Sequence, residues 1–112
     1  MITLYGIKAC DTCRRARKAL EARGVPFQVH DLREDGLSAA LLEHLLGQVP
    51  VMTLLNKRST TWRQLPDDDK NDVDANKARE LMLANPTLIK RPLLDTGDDI
   101  LVGYRDGDYD DL

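Results

Sequence analysis

Two cysteines stand three residues apart in Cys10-Asp11-Thr12-Cys13. A thiolate can act as a nucleophile or bind a metal, so this spacing admits two chemistries. A zinc site needs four ligands, and His30 and His44 are the histidines available. Their spacing matches no finger pattern, and no metal is expected. Thiol–disulfide exchange fits better because of where the motif lies, directly between a predicted strand and a predicted helix. Cys10 would open that helix, where unpaired backbone N–H groups and the helix dipole favour an anion, here a thiolate. Lys8 and Arg14 add positive charge nearby, and Asp11 opposes it. Cys13 lies one turn further on, within reach of a mixed disulfide formed on Cys10. It also falls on the apolar stripe of the helix, so it reads either as a resolving thiol or as a packing residue.

The elements that must hold this pair follow from periodicity. Ile2-Thr3-Leu4-Tyr5 and Phe27-Gln28-Val29-His30 alternate as strands do. Between them Cys13, Ala16 and Leu20 recur at helical spacing, with Ala19 beside them, until Gly24 and Pro26 end the helix. Strand, helix and strand make a βαβ unit with parallel strands. Ser38 is placed to cap a helix carrying Leu41, Leu42, Leu45 and Leu46, closed by Gly47. Pro50 opens another, with Val51, Leu54 and Leu55 inward. Asp72 or Asp74 caps a third, with Ala75, Ala78, Leu81 and Met82 on one side and Asn85-Pro86 at its end. Leu93-Leu94 and Ile100-Leu101-Val102 flank a turn as a hairpin, with a terminal helix expected beyond it. The expected fold is α/β and thioredoxin-like: βαβ, a helical insertion, then ββα, around a four-stranded mixed sheet. The expectation is a single domain, 1–112, with the insertion at about 38–86.

In such a fold the proline that leads into the third strand is cis and packs beside the nucleophilic sulfur. Pro92 holds that place, which would bring Arg91 next to Cys10 as a partner for a thiolate or an oxyanion. The chain has 112 residues, 42% hydrophobic and 31% charged, as an ordinary globular protein does. No apolar run approaches the roughly 20 residues of a membrane span. No basic, leader-like segment is seen, so a cytoplasmic protein with reduced thiols is expected. The net charge of −3 disfavours nucleic acid as a partner. Arg14, Arg15, Arg17, Lys18 and Arg23 make the first helix basic, either as solvated surface or as a field favouring anions.

Five blocks then carry a resemblance: Leu4-Tyr5-Gly6-Ile7-Lys8, Cys10-Asp11-Thr12, Lys18-Ala19-Leu20, Leu54 to Arg58 with Thr60-Thr61-Trp62, and Asn85 to Pro92 followed by Val102-Gly103-Tyr104. In this order they resemble the arsenate reductase/Spx family, most closely its YffB-type branch. The resemblance implies a cytoplasmic thiol reductase with its nucleophile at Cys10 and an arginine and cis-proline at Arg91 and Pro92. It implies glutathione as co-substrate with no bound cofactor, and glutaredoxin among the partners. Glutaredoxin-coupled arsenate reductases hold their oxyanion with three arginines. Arg91 matches one and Arg105 the approximate place of another; the third falls on Asn56, with Arg58 two residues away. That departure argues against arsenate itself as substrate. The expected site is therefore Cys10, Cys13 and Arg91 for chemistry, with Lys8, Arg58, Arg91, Pro92 and Arg105 for a small anionic or disulfide substrate. The alternative is a redox-sensing regulator of the Spx type that binds the RNA polymerase α-subunit through a Cys10–Cys13 switch.

Overall fold

The computed structural model describes residues 2–112, which group into two compact units, 2–35 with 91–112, and 36–90. The first unit holds the sheet. Strand β1 (Ile2–Gly6) leads to helix α1 (Asp11–Arg23) and strand β2 (Phe27–Asp31). Two parallel strands need a crossover, and α1 supplies it; Leu4 faces Val29 and Gly6 faces Asp31 in the register. Strands β3 (Leu93–Asp95) and β4 (Ile100–Val102) form the hairpin expected from sequence. The sheet order is β2-β1-β3-β4, with β3 antiparallel to both neighbours. Leu4 and Leu94, cross-strand partners, pack with Ala16 and Leu20 of α1 and with Tyr109. The alternation of β1 and the stripe of α1 thus meet in one apolar layer, as periods of 2 and 3.6 require. Gly24, at φ 71, ends α1 in the left-handed conformation that costs glycine least.

The fold is thioredoxin-like and α/β, as expected. One detail differs: residues 106–111 form turns, where a closing helix was expected. Gly103 and Gly107 both adopt positive φ, and the segment is rich in aspartate, which prefers turns to helix interiors. Tyr109 still plugs the apolar layer at 1% exposure.

The second unit is helical: α2 (Ala39–Leu46), α3 (Val51–Leu54), α4 (Thr60–Gln64), α5 (Asp67–Lys70), α6 (Ala75–Ala84) and a 3-10 turn (Pro86–Leu88). Ser38 caps α2 by accepting from Leu41 N–H, and Asp74 caps α6 by accepting from Lys77 N–H. Leu42, Leu45, Leu54, Leu55, Ala78 and Met82 are buried, but Ala75, expected inward, lies exposed in the first turn of α6. The backbone ties 54–56 to 88–90: Asn56 N–H donates to Leu88 at 2.7 Å and Lys90 N–H to Leu54 at 2.9 Å. No helix among the described residues is long and apolar enough to cross a membrane.

Candidate active site

Cys10 is the N-cap residue of α1, in extended conformation, and its side chain makes no capping hydrogen bond. Its carbonyl accepts the first helical bond, from Arg14 N–H at 3.1 Å, while its own N–H donates to Ile7 at 3.2 Å. The sulfur is therefore half-exposed at the end of α1, where orphan N–H groups favour negative charge. Arg14 closes the loop before it by donating to the Lys8 carbonyl at 3.3 Å and pairing with Asp11 at 3.2 Å.

Cys13 sits one turn on and is buried. Both thiols are free. Burial pushes the Cys13 thiol up to about 12; the Ile7 N–H opposes this, the Cys10 thiol adds to it, and the Arg91 charge lowers it again. Gly6 makes this packing possible. A Cβ at that position would lie 2.6 Å from Cys13 Sγ. The family block around Gly6 signalled the residue, but only the structure gives its steric reason.

Arg91 precedes Pro92 across a cis peptide bond, as the position of the proline implied. Its charge reaches the Cys13 thiol, so the guanidinium belongs to the surroundings of the cysteine pair. Pro92 is buried, and its carbonyl accepts from Gly103 N–H at 2.8 Å. Lys8 is exposed and already pairs with Glu34 at 2.8 Å. Arg105 is exposed beyond β4, its N–H donating to Asp108 at 2.7 Å. Arg58 lies in the helical unit, before α4, and its N–H donates to the side chain of Asn56 at 3.0 Å. Asn56 thus orders the turn into α4 with the carboxamide that an arginine would lack.

Asp31 was missed in the sequence. It is buried at the end of β2, where its carboxylate accepts from the N–H groups of Lys8, Arg33 and Glu34 at 2.8–3.0 Å. Desolvation would raise its pKa, but these N–H donors and the Lys8 charge win and hold it below the ordinary carboxyl value. Asp31 thereby anchors the loop that carries Cys10 to the turn after β2. A cavity of about 440 Å³ opens beside this anchor, lined by Leu4, Ile7, Val29, Arg14 and Cys13, among others. Cys10 does not line it.

A C-x-x-C pair at the first helix of a thioredoxin-like sheet, beside an arginine and a cis-proline, defines a thioredoxin-like protein of the thiol-bearing class. The chain belongs to the ArsC family, whose profile matches residues 5–112. The solved YffB protein is 42% identical, with a TM-score of 0.88 over 94% of this chain and 92% of that one. An arsenate reductase (ArsC) related protein from Brucella melitensis is 45% identical, with a TM-score of 0.80 over 97% and 91% of the two chains. The global transcriptional regulator Spx of Lactiplantibacillus plantarum is 29% identical over 95% of this chain and 81% of its own.

Proposed function

We propose that the protein is a thiol-dependent reductase that works in the cytoplasm, with Cys10 as nucleophile and glutathione as electron source. The supporting observation is the asymmetry of the two sulfurs. Cys10 is half-exposed and uncapped at the start of α1, whereas Cys13 is buried and held in its protonated form. The Cys10 thiolate attacks a disulfide or glutathione adduct, the substrate sulfur leaves with the bonding pair, and Cys13 then displaces the adduct to give the Cys10–Cys13 disulfide. Arg91 orients the anionic partner; a planar guanidinium suits a carboxylate or oxyanion. Lys8, Pro92 and Arg105 complete the proposed binding set, with a small anionic or disulfide substrate and with glutaredoxin as a further partner. The likeness to arsenate reductase related proteins supports a reductase of this class.

The likeness to Spx favours a second reading, a redox-sensing regulator acting through the same cysteine pair on the RNA polymerase α-subunit. Two assays on one preparation separate them. A reductase turns over a glutathionylated peptide with glutathione present and ignores immobilised α-subunit. A regulator is retained by the α-subunit and gives no turnover.

A further inference from the structure

Strand β2 lies at the outside of the sheet, bonded on one side to β1. Leu32 N–H donates to Gly6 at 2.8 Å, so strand alternation turns the N–H and C=O of Phe27, Val29 and Asp31 outward. Those of Asp31 are taken: its N–H donates to the Asp35 carboxylate at 2.9 Å, and its C=O accepts from Asp35 N–H at 2.8 Å. Sheet edges are commonly blunted in such ways, but here the protection stops short of Val29. Val29 keeps its N–H and C=O turned outward and is 47% exposed. Its side chain shares a face with its register partner Leu4, and both line the cavity of about 440 Å³. Ile7 continues that apolar floor, and the walls are charged: Arg14 and Arg17 on α1, Glu34 and Asp35 after β2. As the crossover, α1 runs back along the sheet. Arg17 therefore stands nearer the Phe27 end of β2, while Glu34 and Asp35 stand at the Asp31 end. Arg14 is engaged by the Lys8 and Ala9 carbonyls and by Asp11. Arg17 pairs with Glu21, and Glu34 with Lys8, both exposed pairs of the weak kind.

We propose that the free edge of β2 docks an extended peptide segment of a partner protein, which adds antiparallel as a further strand centred on Val29. Residues opposite one another in an antiparallel pair share a face, so the peptide residue facing Val29 sends its side chain into the cavity. An apolar side chain fits there, against Leu4, Ile7 and Val29. Two peptide residues further on, opposite Phe27, an acidic side chain meets Arg17. Two residues before, opposite Asp31, a basic side chain meets Asp35 and Glu34. Main-chain bonds to Val29 supply affinity, and the cavity and its charged walls supply selectivity. Cys10 does not line the cavity, so docking at this edge stands apart from the thiol chemistry proposed above.

The probe is the acetylated and amidated peptide Thr-Lys-Val-Leu-Val-Glu-Thr, titrated into the full chain and followed by NMR shifts and amide hydrogen exchange. In the protein alone the Gln28 and His30 amides, which face β1, should exchange slowly and the Val29 amide fast. Saturating peptide should slow Val29 exchange about tenfold or more, with shifts along β2 and at Arg17. Exchanging the Lys and Glu of the peptide keeps its composition and should weaken binding about tenfold, since both charge pairs become repulsive. A methyl group on the peptide Leu nitrogen removes the donor to the Val29 C=O and should weaken binding by a similar factor. Arg17→Glu should bind the exchanged peptide more tightly than the parent chain does. No binding at millimolar peptide overturns the proposal, as does an unchanged Val29 amide at saturation or equal affinity for the N-methylated peptide. Equal affinity for the exchanged peptide overturns the assignment of Arg17. Val29 protection that appears without peptide and grows with protein concentration would give the edge to a second copy of the chain, and the proposal would fall.

Discussion

With its thiol pushed up to about 12 by burial, Cys13 is held protonated at pH 7. No external electrophile meets it often. Iodoacetamide at pH 7 should therefore alkylate Cys10 at least about tenfold faster than Cys13, read by peptide mass spectrometry; preferential labelling of Cys13 would reverse the roles. Resolution survives the same handicap because it is intramolecular. Effective molarities of about 10⁵ M for a well-oriented pair offset the small thiolate fraction of a buried thiol. Arg91 makes the second prediction at this scale. Arg91→Ala and Arg91→Lys should each lower turnover about tenfold or more with little change in thermal midpoint, because a point charge does not replace a bidentate contact. Full activity in both variants would leave Arg91 outside the substrate site.

The elements hold these groups through a few contacts that can be tested one at a time. Gly6→Ala should destabilise the protein by about 1–3 kcal/mol in urea unfolding, since its Cβ would meet Cys13 Sγ at 2.6 Å. In a Cys13→Ala background much of that cost should vanish; an equal cost in both backgrounds would place the clash elsewhere. Asp31→Asn should cost about 2 kcal/mol through weakened bonds from Lys8, Arg33 and Glu34 N–H. Because the Asp31 pKa is depressed in the fold, its contribution is present above the ordinary carboxyl value and disappears as pH falls through the lowered one. The variant should lose that part of the acid limb. The strands and the three longer helices were legible because apolar period and capping residue agree there, with Ser38 as one cap and Asp74, of the two aspartates offered, as another. Helices α4 and α5 were not, being four or five residues long with no fully buried side chain to mark a face. At the site, Cys10, Cys13, Arg91 and Pro92 were legible from spacing and family blocks. Asp31 and the steric role of Gly6 were not, since each acts through a contact, with Lys8 N–H and with Cys13 Sγ, that no periodicity or motif marks.

Across the whole molecule, proton linkage connects the site to stability. The folded chain holds the Cys13 proton more tightly than the unfolded chain, whose thiol titrates near 9.0, and the same direction holds for Tyr5 and Tyr109. A raised pKa gives stability that is whole below the unfolded value and is lost as pH rises through the folded one. Unfolding free energy should therefore fall from about pH 9 toward pH 12, less steeply in Cys13→Ala than in the parent; identical slopes would show that Cys13 is not held protonated. The net charge of −3 coexists with a basic α1 and an acidic C-terminal segment. Arg15 lies 3.9 Å from Asp106, and Arg23 donates to the Leu112 carbonyl at 2.6 Å, so part of that basic face is occupied within the molecule. The charge pattern is thus weak support for anion binding, and the cysteine pair carries the functional account. Its most direct test is whole-protein mass spectrometry after exposure to oxidised glutathione. The parent should pass through a single glutathione adduct to a Cys10–Cys13 disulfide two hydrogens lighter than the reduced chain. Cys13→Ser should form the Cys10 adduct at a near-parental rate and accumulate it, and Cys10→Ser should form none. An adduct on Cys13 in Cys10→Ser, or an oxidised parent with both thiols still free, would contradict the account.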